Sequence, residues 1–123
     1  MSDSSKAIKK QELFKALMLA DSLEKIPGGR LISIMKMKTD PDTFVQGVNY
    51  ISKKVWEAFL ANCPQEILDQ LDKLLQEGKD EKYQEFLVSV ILVNQDLAQI
   101  VANAMDFYGN SYARVKKIDL QLD

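Results

Sequence analysis

The chain contains no histidine, and that absence removes more chemistry than any residue present suggests. It excludes serine and cysteine triads built on a histidine base, ordinary zinc sites, haem ligation through imidazole, and the Glu-x-x-His di-iron motif of helical bundles. Cysteine is reduced to Cys63, so no internal disulfide can form. A lone thiol fits a reducing compartment, and a cytoplasmic location is expected. With no histidine to activate it, Cys63 before Pro64 reads as a small half-buried residue or a weak helix cap. Proline and glycine are scarce, three and five residues of 123, while 46% of residues are hydrophobic and 28% charged. That balance argues against disorder and for a folded chain.

Long apolar runs are lacking too. The longest, FLVSVILV at 86–93, is far below the roughly 20 residues a membrane-spanning helix needs. The start, MSDSSKAIKK, has no apolar stretch behind a basic end, so no secretory signal is read and a soluble protein without membrane contact is expected. Nor is there a nucleotide fingerprint. Gly28-Gly29-Arg30 lacks the G-x-x-x-x-G-K-S/T and G-x-G-x-x-G patterns that cradle phosphates, and reads as a helix-ending turn with a basic rim. The acids around EGKDEKYQE do not supply the ligand spacing of a calcium loop. No cofactor and no metal is expected.

What is present is helical periodicity. A length of 123 residues suits one domain, here 6–123 behind a polar, fraying stretch at 1–5. Residues 5–26 place Leu13, Ala16, Leu17, Ala20, Leu23 and Ile26 at steps of three and four, up to Pro27-Gly28-Gly29. Asp40-Pro41-Asp42 opens a second helix to about 62, with the stripe Phe44, Val48, Ile51, Val55 and Phe59 widened by Val45 and Trp56. Pro64 restarts the chain for a third, which buries Ile67, Leu68, Leu71, Leu74 and Leu75 and ends by Gly78. Tyr83, Leu87, Val90, Asn94, Leu97, Val101, Ala104 and Tyr108 alternate steps of four and three, which predicts one long seam helix over 81–108 ending at Gly109-Asn110. Phe86, Val93, Ile100 and Phe107 widen that seam. The expected fold is all-α, a single-domain bundle of about four main helices. Residues 30–38 and 112–123 read either as helical turns or as a short two-stranded ribbon, with helix favoured for 30–38.

Function is read by elimination and by surface. Trp56 reads as a large core residue before a partner anchor. The seam helix, Asn94, the segregated charge and the lack of catalytic groups point to a non-catalytic protein–protein interaction module, an adaptor, chaperone or regulatory subunit that self-associates as a homo-oligomer. Its candidate interface residues are Asn94, Leu97, Val101, Tyr108 and Trp56. Asn94 on the apolar seam either fixes helix register as a buried amide or sits at the edge with water. Charge is segregated as well: residues 1–38 carry eight Lys/Arg against four acids, and residues 64–85 seven acids against three lysines. Such a division can orient neighbours within a fold, steer a partner, or drive head-to-tail association. The alternative is a small subunit of a nucleic-acid-associated complex that grips phosphates with Lys9, Lys10, Arg30, Lys36 and Lys38, with Arg114, Lys116 and Lys117 at the other end. Against it stand the acidic sequence pI of about 5.2 and a basic region whose only aromatic is Phe14.

Overall fold

A computed structural model describes residues 2–19, 26 and 28–120, the side chains of 2–7 excepted. These residues form six helices and no strand: α1 Ser2–Met18, α2 Gly29–Lys38, α3 Pro41–Asn62, α4 Gln65–Gln76, α5 Asp80–Val93 and α6 Gln95–Lys116. The all-α class agrees with the sequence reading, while six helices replace the expected four. The ribbon is not formed: residues 30–38 lie in α2 and 112–116 in α6. Ala20 and Leu23 of the first expected helix, Pro27 of its expected stop, and 121–123 of the tail lie outside the described residues.

Each boundary has a local cause. Gly28 holds φ at 82°, left-handed backbone that glycine adopts without strain, and its Cα lies so close to α6 that an added Cβ would stand 2.7 Å from Met105 Cβ. Asp40 caps α3: one carboxylate oxygen accepts from the Thr43 N–H at 3.1 Å and the other from the Thr43 hydroxyl at 2.6 Å, with Pro41 at the first helical position. Those bonds hold the Asp40 carboxyl below its usual pKa. At the end of α4 the Lys79 N–H bonds Leu74 O and the Gly78 N–H bonds Leu75 O, a Schellman closure with Gly78 at positive φ.

The long seam helix over 81–108 is broken. Its continuity fails at Asn94, where the chain turns by 96° between α5 and α6. The Asn94 N–H still bonds Val90 O and closes α5, while its side-chain oxygen accepts from the Leu97 N–H at 3.1 Å and opens α6. Asn94 is therefore a helix cap and not a register residue on a continuous seam. Seam positions on both sides of the corner are nonetheless buried, from Tyr83, Leu87 and Val90 to Leu97, Val101 and Ala104. Nor does Gly109 end α6, which continues to Lys116. Its missing side chain lets Leu31 of α2 approach, since a Cβ there would collide with Leu31 Cδ2.

α3 lies between α1 and α6 and packs on both. It meets α1 where the tilted Phe14 and Trp56 rings touch and Lys15 donates to Asn49. It runs antiparallel to α6, because Tyr112 meets Thr43 while Tyr108 meets Tyr50. α5 touches both α1 and α6, α2 touches both α3 and α6, and α4 packs on α5. These three helices bring their apolar stripes to one cluster under α3, which draws Ile32, Ile51, Phe59, Leu71, Leu87 and Val101 together. Among the described residues, no single helix is long and apolar enough to cross a membrane.

Candidate interaction surface

The residues expected at an interface are divided by the fold. Trp56 is buried, with ring centroids 5.3 Å from both Phe14 and Phe59. Leu97 and Val101 are buried in the common core. Asn94 is half-buried at the α5–α6 corner. Tyr108 and Asn94 border open surface, Tyr108 edge-on to Tyr50 at 6.1 Å and to Phe107 at 5.0 Å, Asn94 at a groove with Ile67, Phe86 and Val93. The apolar area of Trp56, Leu97 and Val101 is thus spent inside the chain.

The candidate anion contacts are divided as well. Lys10 pairs with Asp72 of α4, and Lys9 with Asp80 of α5 at 3.2 Å. Arg30 is exposed at the start of α2, whereas Lys36 and Lys38 occupy its last turn, where cations complement the helix dipole. The basic first third and the acidic segment therefore meet within the fold, α1 against α4 and α5. Lys15 lies 3.3 Å from Glu12 and donates to the Asn49 side chain at 3.0 Å. Among the described residues, no three acids or thiols gather as a metal site, and burial pushes the Cys63 thiol above its ordinary pKa.

One surface does concentrate exposed apolar side chains. The inner stripe of α3, Phe44, Val48, Ile51, Val55 and Phe59, is buried, while Val45, Tyr50 and Leu60 on its outer side are exposed. On α1, Ile8, Glu12, Lys15 and Leu19 share one side at helical spacing, and the Lys15–Asn49 contact sets that side along the outer edge of α3. Ile8 is 64% and Leu19 53% exposed. On α6, Phe107 and Val115 stand beside the Tyr50–Tyr108 contact, 62% and 77% exposed. Among the described residues, seven of the ten exposed large hydrophobic side chains thus lie along the outer side of α1 with its adjoining Leu19, α3 and α6; Met37, Leu92 and Val93 lie elsewhere.

At the α3–α6 edge the surface dips into an open groove of about 360 Å³ lined by Gln46, Tyr50, Ser111, Tyr112, Val115 and Lys116. The Tyr50 and Tyr112 rings stack at 6.2 Å, and the Lys116 ammonium stands 6.0 Å from the Tyr112 centroid. The Tyr112 hydroxyl donates to Thr43 O at 2.7 Å, and its pKa is raised by burial and then by the Asp40 charge. An aromatic run, Phe107–Tyr108–Tyr50–Tyr112, therefore links α6 to the middle of α3. Sequence reasoning assigned Phe107 and Val45 to the widening of buried stripes and left Tyr50 unassigned. The available signal was that width, since a stripe broader than the core can cover leaves residues for a second face.

The fold and this surface define a class, an all-α bundle whose described residues leave aromatic and aliphatic side chains open along α1, α3 and α6, with a second open groove of about 380 Å³ at Ile67, Phe86, Val90 and Val93. Set against protein-family models, curated proteins and solved structures, the chain matches none of them.

Proposed function

We propose that the chain is a non-catalytic protein–protein interaction module, acting as an adaptor, chaperone or regulatory subunit through the outer face of α1, α3 and α6. The observation that carries this reading is the run of exposed aromatic and aliphatic side chains on that face, Tyr50 and Phe107 at its middle. Contiguous exposed apolar surface is unfavourable in water and marks contact sites in folded proteins. Aromatic side chains near the centre of such a surface supply most of the energy of association. A cytoplasmic setting belongs to the proposal and rests on the lone thiol. The phosphate-gripping alternative has less to stand on, because Lys9 and Lys10 are engaged by Asp80 and Asp72.

The test is site-specific photocrosslinking in cells, with a benzophenone amino acid at position 107 and, as control, at Lys73, which is exposed on α4. A discrete crosslinked protein product from position 107, weakened by Tyr50→Ser and absent from position 73, is the expected result. Equal or no crosslinking from the two positions rejects the reading.

A further inference from the structure

We infer that the partner on this face is a second copy of the chain, in a closed, two-fold dimer with the α3 helices at its centre. The inference rests on the face being a contact surface at all, and adds what covers it.

Three observations point to self-pairing. The first is size. α3 has 22 residues, about 33 Å of helix, and three helices spaced roughly 8–10 Å apart make a face on the order of 800 Å². That matches the roughly 800 Å² each partner contributes to a standard-size stable interface.

The second is charge. The ionic side chains that punctuate the face are Glu12 and Lys15, already 3.3 Å apart, Asp42, Lys53 and Glu57 on the exposed side of α3, and Lys116 at the groove. They balance. A two-fold contact lays a surface against itself, so a face of one sign would repel its copy, whereas a balanced one does not. The strongly charged side chains of the sequence are placed elsewhere: Lys9 and Lys10 are turned to Asp80 and Asp72. This removes the main electrostatic drive for a head-to-tail chain.

The third is the position of the anchors. Tyr50 lies near the midpoint of α3, and Tyr108 and Phe107 lie beside it across the groove. A two-fold axis through the middle of the face brings both copies of this aromatic group to the centre of one interface, where anchors are most effective. Ile8, Leu19 and Leu60 lie toward the margins.

The experiment is solution mass by light scattering over a wide concentration range, with absorbance at 260 and 280 nm across the peak. The wild-type chain is expected to approach twice 14.0 kDa and to stop there. Phe107→Asp and Val45→Asp change exposed residues, and each appears twice in the dimer; either is expected to raise the dissociation constant at least roughly tenfold with unchanged helical circular dichroism. Leu92→Ser/Val93→Ser, on the α5–α6 corner, is expected to leave the mass unchanged.

A monomer at every concentration overturns the inference, and the crosslinking result then decides by itself whether the face serves another protein. Mass that grows without limit overturns the closed two-fold arrangement. A dimer that ignores Phe107→Asp but yields to Leu92→Ser/Val93→Ser moves the interface and sinks both readings. Nucleic acid that co-elutes and leaves at high salt overturns self-pairing in favour of a phosphate-bearing partner.

Discussion

The Tyr112 hydroxyl donates a 2.7 Å hydrogen bond to the carbonyl oxygen of Thr43, tying the last third of α6 to the first turn of α3. Gly47, one turn further along α3, admits the ring: a Cβ there would lie 2.8 Å from Tyr112 Cε2 and 2.9 Å from Met35 Sδ. Tyr112→Phe keeps the ring and removes the bond, so a loss of about 0.5–1.5 kcal/mol is expected in denaturant titration. Gly47→Ala is expected to cost more, on the order of 1–3 kcal/mol, because Tyr112 and Met35 must both move.

Tyr83 gives the opposite expectation. Its side chain is fully buried, and its hydroxyl finds no hydrogen-bond partner among the described residues. Burial, and then the negative charge of Asp72, hold its pKa far above the usual tyrosine value. Tyr83→Phe removes an unsatisfied hydroxyl and is expected to be neutral or stabilising by up to about 1 kcal/mol. The pH dependence follows the same sign. A folded-state pKa above the unfolded one means stability is intact below the ordinary tyrosine pKa of 10 and falls as pH rises beyond it. Alkaline unfolding above that value should be markedly weaker in Tyr83→Phe than in the wild type, as followed by circular dichroism.

Asn94 reverses what a seam position implies. A leucine in a buried seam would stabilise, but a leucine at a cap leaves the Leu97 N–H without its side-chain acceptor. Asn94→Leu is expected to lower stability by about 0.5–2 kcal/mol, whereas Asn94→Asp, which caps as well, should stay near the wild type. Thermal melts of the two variants side by side separate the cap from the seam.

Asp40 is tested in acid. Its pKa is depressed by the two Thr43 bonds, so its contribution is present above the ordinary value of 3.8 and is lost as pH falls through the lower folded-state value. Asp40→Asn keeps a capping oxygen and is expected to flatten the stability profile below about pH 4 while leaving neutral-pH stability close to that of the wild type. Urea midpoints measured across that range provide the check.

How far these features were legible varied with the kind of signal. α3 and α4 could be read because Asp40-Pro41, Pro64 and Gly78 are local stops and starts whose chemistry needs no partner. The corner at Asn94 escaped because the heptad phase of Tyr83, Leu87 and Val90 continues into Leu97, Val101 and Ala104; all six are buried, so a burial pattern cannot show the turn between them. The competing sign was present, an asparagine followed by Asp96 in the first turn of α6. Gly109 was read as a stop because its purpose, room for Leu31, depends on a helix far away in sequence. The open face was legible only as excess width. Val45, Trp56 and Phe107 all widened a stripe; Trp56 was drawn inside by Phe14 and Phe59, and the other two were left out.

The Tyr112–Thr43 bond spans 69 residues of sequence, and that interval orders events during synthesis. When the ribosome has released α3, the flank that will receive α6 has no cover, because α4, α5 and the corner at Asn94 must emerge first. Closing so long an interval carries an entropic cost that neighbouring pairs such as α4 with α5 do not meet. Docking of α6 on α3 closes one such interval and docking of α5 on α1, where Gln84 donates to Leu13 O across 71 residues, closes another, so both are expected late and a nascent α1–α3 segment is exposed to aggregation before them.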